Sequence, residues 1–414
     1  MQLRGRIKIM LFFESVHKVL RKGKESVLWL IHYFQYRNPT VLFTSFEGQY
    51  NDNPKYISEE LHKLDKNIKI IWATSWKGKD PVPEYVTAVP YYSIPFQIAL
   101  ARSQVLVDNV IGYRWRLGGA ENGRIKKKLQ FKNQLNISTW HGTPIKKIGR
   151  HEYGLREGIG FISSCDYMIS GCRYTQDCLT KAFYPISVRL TGTPRNDILV
   201  NSLSEKQKSE IKKKLGLPID KRIILFAPTF RKSSEYSGTK QISEIDIPRL
   251  IDMITKKITH EDCVFVYRVH HTVLKELGKQ DSVENSKGLI FDGNKHDDMA
   301  EYLAVTDVLV TDYSGSIFDF ALTGRPCFLY TPDKDHYINE ERGIYISLDD
   351  LPYPYAEKLD DFYKLIEKYD DFVAKRQIDE FNQCIGNAET GHASETIAKA
   401  IIKYIETGKK ENLL

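Results

Sequence analysis

A twice-repeated alternation of short apolar runs and helical stretches sets the fold class of this chain. The first series of runs is Val41 to Ser45, Ile68 to Ala73, Val105 to Asn109, Asn136 to Trp140, Tyr167 to Ser170 and Val188 to Thr191. Each has strand length and is closed by polar or small residues. Helical stretches lie between them. Asp52-Asn53-Pro54-Lys55 opens one, with Asn53 the expected N-cap and Pro54 in the first helical position. Ile94 to Arg102 and Thr175 to Ala182 supply two more. The second series runs from Ile223 to Phe226, Cys263 to Val269, Leu289 to Phe291, Asp307 to Thr311 and Pro326 to Tyr330. Helices are expected at 247–258, 299–305 and 316–322, with closing helices at 359–368, 371–383 and 393–405. Strand, helix, strand in this order predicts parallel sheets covered by helices on both faces. The expectation is an α/β protein of two Rossmann-like, doubly wound domains facing a cleft. The first spans 39–200 and the second 201–408, with 202–214 as a polar helical crossover and 409–414 as a tail. A length of 414 residues suits two domains.

The stretch 1–38 stands apart. Arg4, Arg6, Lys8, Lys18, Arg21, Lys22 and Lys24 alternate with Ile7, Met10, Leu11, Val16, Val19 and Leu20, and only Glu14 and Glu25 are acidic. This reads as basic amphipathic helices lying on an anionic membrane surface, or packed on the first domain with the basic face in water. The net charge of +7 is mild, and no nucleic-acid-binding pattern accompanies it. No secretory leader is expected, and no apolar run is long enough to span a bilayer. The six cysteines form no CxxC pair, which argues against zinc and for reduced thiols in a cytoplasmic core.

The chemistry-bearing residues collect where strands end. Trp140-His141-Gly142-Thr143-Pro144 closes a strand with a forced turn, followed by Lys146 and Lys147. In open α/β sheets ligands bind beyond the carboxyl ends of strands. His141 there can take a proton from a hydroxyl near neutral pH, or it can be a structural histidine on a capped strand end. Thr311-Asp312-Tyr313-Ser314-Gly315-Ser316 leads straight into a helix bearing Asp319. Its N–H groups, the Ser314 and Ser316 hydroxyls and the unencumbered Gly315 would cradle a phosphate or pyrophosphate. Asp319 could instead complete a capping box with Ser316, or bind ribose hydroxyls. Arg268 and His270 end another strand and could neutralise a phosphate or protonate a leaving group. Thr229 and Arg231 follow a further strand, and Arg195 lies in Gly192-Thr193-Pro194-Arg195-Asn196-Asp197. Together these indicate a phosphate-handling cleft. No metal site is expected. The absence of GxGxxG and GxSxG patterns argues against a dinucleotide redox cofactor and a serine hydrolase.

In their order and spacing these stretches resemble the CDP-glycerol glycerophosphotransferase family of teichoic acid and capsule synthesis, from about Val41 to Ile405. The resemblance implies a GT-B fold, with the donor held by the second domain and the acceptor by the first. It implies peripheral attachment to the cytoplasmic face of a bacterial membrane. The reaction expected is transfer of a polyol phosphate from a CDP-activated donor, CDP-glycerol ahead of CDP-ribitol, to a polyprenyl-diphosphate-linked saccharide, releasing CMP. His141 is the expected base and His270, with Arg268, the expected acid or phosphate stabiliser. Thr311, Asp312, Ser314, Gly315, Ser316, Asp319, Thr229, Arg231, Arg195, Gly142 and Thr143 are the expected substrate contacts, without cofactor. The alternatives are a nucleotide-sugar glycosyltransferase of GT-B type and a non-catalytic membrane-bound partner in envelope assembly. A homo-oligomer is compatible with the sequence.

Overall fold

The computed structural model of the protein describes residues 38–46, 48–110, 133–152, 165–183, 187–229, 231, 241–242, 244–269, 288–341 and 343–414. The basic helices expected over 1–38 therefore fall, but for Asn38, outside the described residues. In the first domain the strands are β1 (Thr40–Thr44), β2 (Lys69–Thr74), β3 (Val86–Pro90), β4 (Val105–Asp108), β5 (Leu135–Ser138), β6 (Tyr167–Ser170) and β7 (Ser187–Leu190). All pair in parallel, in the order β3-β2-β1-β4-β5-β6-β7. The second domain has β8 (Arg222–Phe226), β9 (Cys263–Tyr267), β10 (Ile290–Asp292), β11 (Val308–Thr311), β12 (Cys327–Tyr330) and β13 (Tyr355–Ala356). Their order is β10-β9-β8-β11-β12-β13, again all parallel.

The central strands form because both of their faces are covered. Val41, Leu42 and Phe43 are fully buried, and Phe43 lies in register with Trp72 on one side and Val107 on the other. Such strands read as continuous apolar runs. Strand β3 does not. Two of its five residues are buried and it ends in Pro90, which suits an edge and hides it from an apolar-run search.

The helices are α1 (Asp52–Leu64), α2 (Ile94–Arg102), α3 (Arg173–Ala182), α4 (Glu205–Lys214), α5 (Ile247–Ile254), α6 (Met299–Val305), α7 (Ser316–Ala321), α8 (Leu359–Glu367), α9 (Asp371–Cys384) and α10 (Ala393–Thr407). Helix α4, the polar crossover, starts with a full capping box between Ser204 and Gln207. Helix α1 begins two residues earlier than expected. Asn51 is its N-cap, and Asn53 turns its amide elsewhere. Helix α7 has Gly315 as N-cap and no side-chain cap, so Ser316 and Asp319 form no capping box.

The last helix departs from the expected boundaries. Ile397, Ala398, Ile401 and Tyr404 of α10 are buried with Val41, Phe43, Ile57 and Leu61 in the core of the first domain. The chain thus crosses between the domains twice. The crossings touch: Asp197 accepts from the Ala393 and Ser394 N–H groups at 2.9 and 2.8 Å, capping α10, and Asn201 Nδ2 donates to the Gly391 carbonyl at 2.8 Å. Elsewhere the domains meet through charge. Lys55 of α1 is buried against Asp298 at 2.6 Å and Glu301 at 2.5 Å. The loop at Asp80 receives His296 at 2.6 Å and the Asp297 N–H at 2.7 Å.

Candidate active site at the cleft between the two sheets

In each sheet the strand order reverses direction at one point, between β1 and β4 in the first domain and between β8 and β11 in the second. Crossovers leave such a point in opposite senses and open a crevice at the carboxyl ends of the strands. The residues picked out by sequence stand at these ends. In the first domain the loops after β1, β4 and β5 carry Phe46, Asn109 and His141. His141 Nδ1 lies 2.7 Å from the Asn109 carbonyl oxygen. That oxygen can only accept, so Nδ1 holds the hydrogen and Nε2 the lone pair, the tautomer a base needs. Trp140 and Phe46 both tilt against the imidazole, at 4.1 and 5.6 Å between centroids.

The backbone around this histidine is strained. Phe46, Asp52 and Trp140 have φ of 43, 57 and 52°, in the left-handed region that branched and bulky residues avoid. Each costs about 1–3 kcal/mol, and such residues gather at functional sites. Gly142, at φ 131°, follows His141 directly, and a Cβ there would sit 2.6 Å from Arg195 Nη2.

Arg195 is the hub. Its Nη1 donates to both Asp52 carboxylate oxygens at 3.2 Å and to the His141 carbonyl at 2.8 Å. Its Nη2 donates to Asp319 Oδ2, on α7 of the second domain, at 2.6 Å. Burial works against the guanidinium charge, but Asp319 and Asp52 outweigh it and hold the group above its ordinary range. Burial likewise raises Asp319, with Arg195 opposing. Asn196 Nδ2 reaches Asp319 Oδ1 at 3.2 Å and Glu389 Oε1 at 3.0 Å. Glu389 also accepts from the Thr193 N–H at 2.7 Å. Burial foremost raises the Glu389 carboxyl to about 7.

On the facing wall, Asp312 accepts from the N–H groups of Thr229 at 2.8 Å and Tyr313 at 2.6 Å and from Arg231 Nη2 at 2.8 Å. Arg231 also donates from Nε to Asp333 at 2.6 Å, and the side chains of all three are wholly inaccessible. Arg231 and Asp312 are therefore an internal brace beneath the turn and present no charge to the cleft. Thr311 serves the same end, its hydroxyl donating to the Ala227 carbonyl at 2.7 Å. Above the brace, Ser316 Oγ donates to Ser314 Oγ at 2.8 Å. Thr229 Oγ1 is buried without a hydrogen-bond partner among the described residues. A Cβ on Gly315 would lie 2.8 Å from the Thr143 carbonyl oxygen, so the turn meets the His141 loop across the cleft. Thr143 is itself held by the Thr175 hydroxyl at 3.0 Å.

His141, Gly142, Thr143, Arg195, Ser314, Gly315, Ser316 and Asp319 are thus brought together. Arg268 is not among them. It donates to the carbonyls of Gly293, His296 and Asp297 at 2.6–2.7 Å and lies over Tyr302, so it orders the loop after β10. Burial lowers its guanidinium. His270 lies outside the described residues. Asn109, Asp52, Asn196 and Glu389 are not among the residues expected from sequence, although Asp52 and Asn196 lie in stretches singled out there and Asn109 is the polar end of a buried strand. Among the described residues no group of three or more His, Cys, Asp or Glu could hold a metal ion.

Fold and site together define a two-domain, doubly wound α/β protein with a histidine-centred cleft between its sheets. The chain belongs to the CDP-glycerol:poly(glycerophosphate) glycerophosphotransferase family, whose sequence model matches residues 27–403. It is 30% identical over 390 residues to the teichoic acid poly(glycerol phosphate) polymerase of Staphylococcus epidermidis, covering 89% of this chain and 51% of that protein. To the teichoic acid glycerol-phosphate transferase of Staphylococcus aureus it is 28% identical, covering 88% and 92%. A structure of the wall teichoic acid polymerase TagF superposes with a TM-score of 0.75 at 27% identity, over 96% of this chain and 97% of that one. A variant of that polymerase has also been solved after soaking with CDPG. The chain spans about half the length of the first polymerases it matches.

Proposed function

We propose that this protein transfers a polyol phosphate, glycerol phosphate ahead of ribitol phosphate, from a CDP-activated donor to a hydroxyl of a lipid-linked teichoic acid or capsule precursor. The acceptor hydroxyl gives its proton to His141 Nε2, and its oxygen bonds to the β-phosphorus of the donor. The bond from that phosphorus to the bridging oxygen breaks, and CMP leaves. Such transfer depends mostly on positioning and charge stabilisation. The observation that carries the reading is the His141–Asn109 contact, which fixes a base-competent tautomer opposite the Ser314–Ser316 turn. That turn and the Thr229 hydroxyl, unpartnered among the described residues, would receive the pyrophosphate. Arg268 contributes by ordering the loop after β10, and His270 remains the proposed acid. The domain pair is read as GT-B, with the acceptor on the first domain. The basic residues of 1–38 would bring the cleft to the cytoplasmic face of the membrane. No described helix is long and apolar enough to cross one.

The deciding experiment measures CMP release from CDP-glycerol and from CDP-ribitol with a lipid-linked acceptor analogue, for the wild type and His141→Ala. Release from one donor, lost in the variant, supports the reading and names the polyol. Failure to bind any cytidine nucleotide overturns it.

A further inference from the structure

An arginine in a phosphate-handling cleft is ordinarily a phosphate ligand, and Arg195 invites that role. Its surroundings argue for another. Both terminal nitrogens are committed to protein acceptors: Asp52 and the His141 carbonyl on one, Asp319 on the other. Two carboxylates already neutralise the guanidinium, and its side chain is 12% exposed. An incoming phosphate would have to displace a carboxylate to reach it.

The contacts instead form a closed circuit around His141. Asp52 receives Arg195 and also the Asn109 amide at 3.1 Å. The Asn109 carbonyl receives the His141 ring. Arg195 then returns to the His141 carbonyl at 2.8 Å. Ring and backbone of one residue are thus gripped through a shared aspartate. The Arg195 backbone is pinned as well, its N–H donating to Asn53 Oδ1 at 3.0 Å, while Asn53 Nδ2 donates to the Trp140 carbonyl at 3.2 Å. One member comes from the other domain. Asp319 is held by consecutive residues of the first domain, Arg195 and Asn196. Gly142 leaves space for the guanidinium where any Cβ would collide.

Resting on the reading of His141 as the base, we propose that Arg195 and Asp319 are a positioning pair: seating the donor domain draws Arg195 onto the His141 carbonyl and thereby aims the His141 ring. The base is aligned only when the domain that carries the donor is docked, so alignment and closure are one event. Neither residue touches the substrate.

Two variants test this. Asp319→Asn keeps the shape and removes the interdomain charge. Arg195→Lys keeps the charge but cannot span three acceptors. Each is compared with the wild type in three measurements: kcat and KM for CMP release from CDP-glycerol with a lipid-linked acceptor analogue, CDP affinity by calorimetry, and the side-chain 15N resonances of His141, identified by their loss in His141→Ala. A positioning pair gives a kcat lower by roughly 10²-fold, unchanged CDP affinity, and a His141 ring that loses its single Nδ1-protonated tautomer. Weakened CDP binding with kcat preserved at saturation would make the pair donor-binding residues and overturn the proposal. An unchanged His141 tautomer in both folded variants would also overturn it, leaving only a structural tie. If the wild type releases no CMP, the transfer reading fails, while the tautomer measurement still decides the positioning role.

Discussion

His141 Nδ1 donates to the Asn109 carbonyl at 2.7 Å, tying the loop after β5 to the end of β4. The bond selects the protonation state that leaves Nε2 able to accept a proton. Replacing His141 by Ala is expected to slow CMP release by about 10²–10⁴-fold, the usual contribution of a positioned general base, with CDP affinity retained. Asn109→Ala keeps the carbonyl but removes the amide contacts to Ser45, Asp52 and the Phe46 N–H that hold it in place. A smaller loss in kcat should follow. Steady-state kinetics beside calorimetry checks both.

Gly315 separates local preference from domain contact. At φ −61° and ψ −16° it sits in helical territory, where Ala for Gly ordinarily stabilises by about 0.4–1 kcal/mol. Here the added Cβ would press on the Thr143 carbonyl at 2.8 Å. Gly315→Ala is therefore expected to push the sheets apart, with a larger radius of gyration in small-angle scattering and a lower kcat. The far-ultraviolet spectrum should stay that of the wild type.

Arg231→Ala is expected to act on folding. It would leave Asp312 and Asp333 buried without their counter-charge. Breaking a buried pair in this way costs about 3–5 kcal/mol. Urea unfolding should show that loss as a lower midpoint. A loss of CDP affinity at full stability would instead restore Arg231 to the ligands.

Glu389 makes stability depend on pH. Burial raises its carboxyl from 4.5 to about 7 in the folded protein. Below about pH 4.5 the group is protonated folded and unfolded alike, and its contribution is fully present. As pH rises toward 7 the unfolded chain ionises first, so that contribution is lost. Glu389→Gln, neutral throughout, escapes the loss. Its stability relative to the wild type should rise by up to about 3 kcal/mol between pH 4.5 and 8, read from urea midpoints. Parallel pH curves would contradict the assignment.

The strands and the turns at their ends were legible because burial on both faces leaves an apolar run that polar residues close, as at Val105 to Asn109 and Asn136 to Trp140. What those turns bind was less legible. Arg195, Arg231 and Arg268 all read as cleft cations, yet each is matched to acceptors far along the chain: Asp319, Asp333 and the Gly293 carbonyl. Nothing in local spacing announces such partners. Asn53 looked like a helix cap because Pro54 follows it, but it serves the Trp140 carbonyl instead. Helix α10 carries the apolar period of any core helix, and periodicity does not say which core.

The double crossing between the domains constrains how the cleft can work. Its two strands of chain lie side by side, strapped by Asp197 to α10 and by Asn201 to Gly391. A single connection would act as a ball joint, free to twist. Two adjacent connections act as a door hinge and leave one angular coordinate. A cleft hinged in this way would open and shut along one arc, and each closure would bring the Ser314–Ser316 turn back to the same bearing against His141.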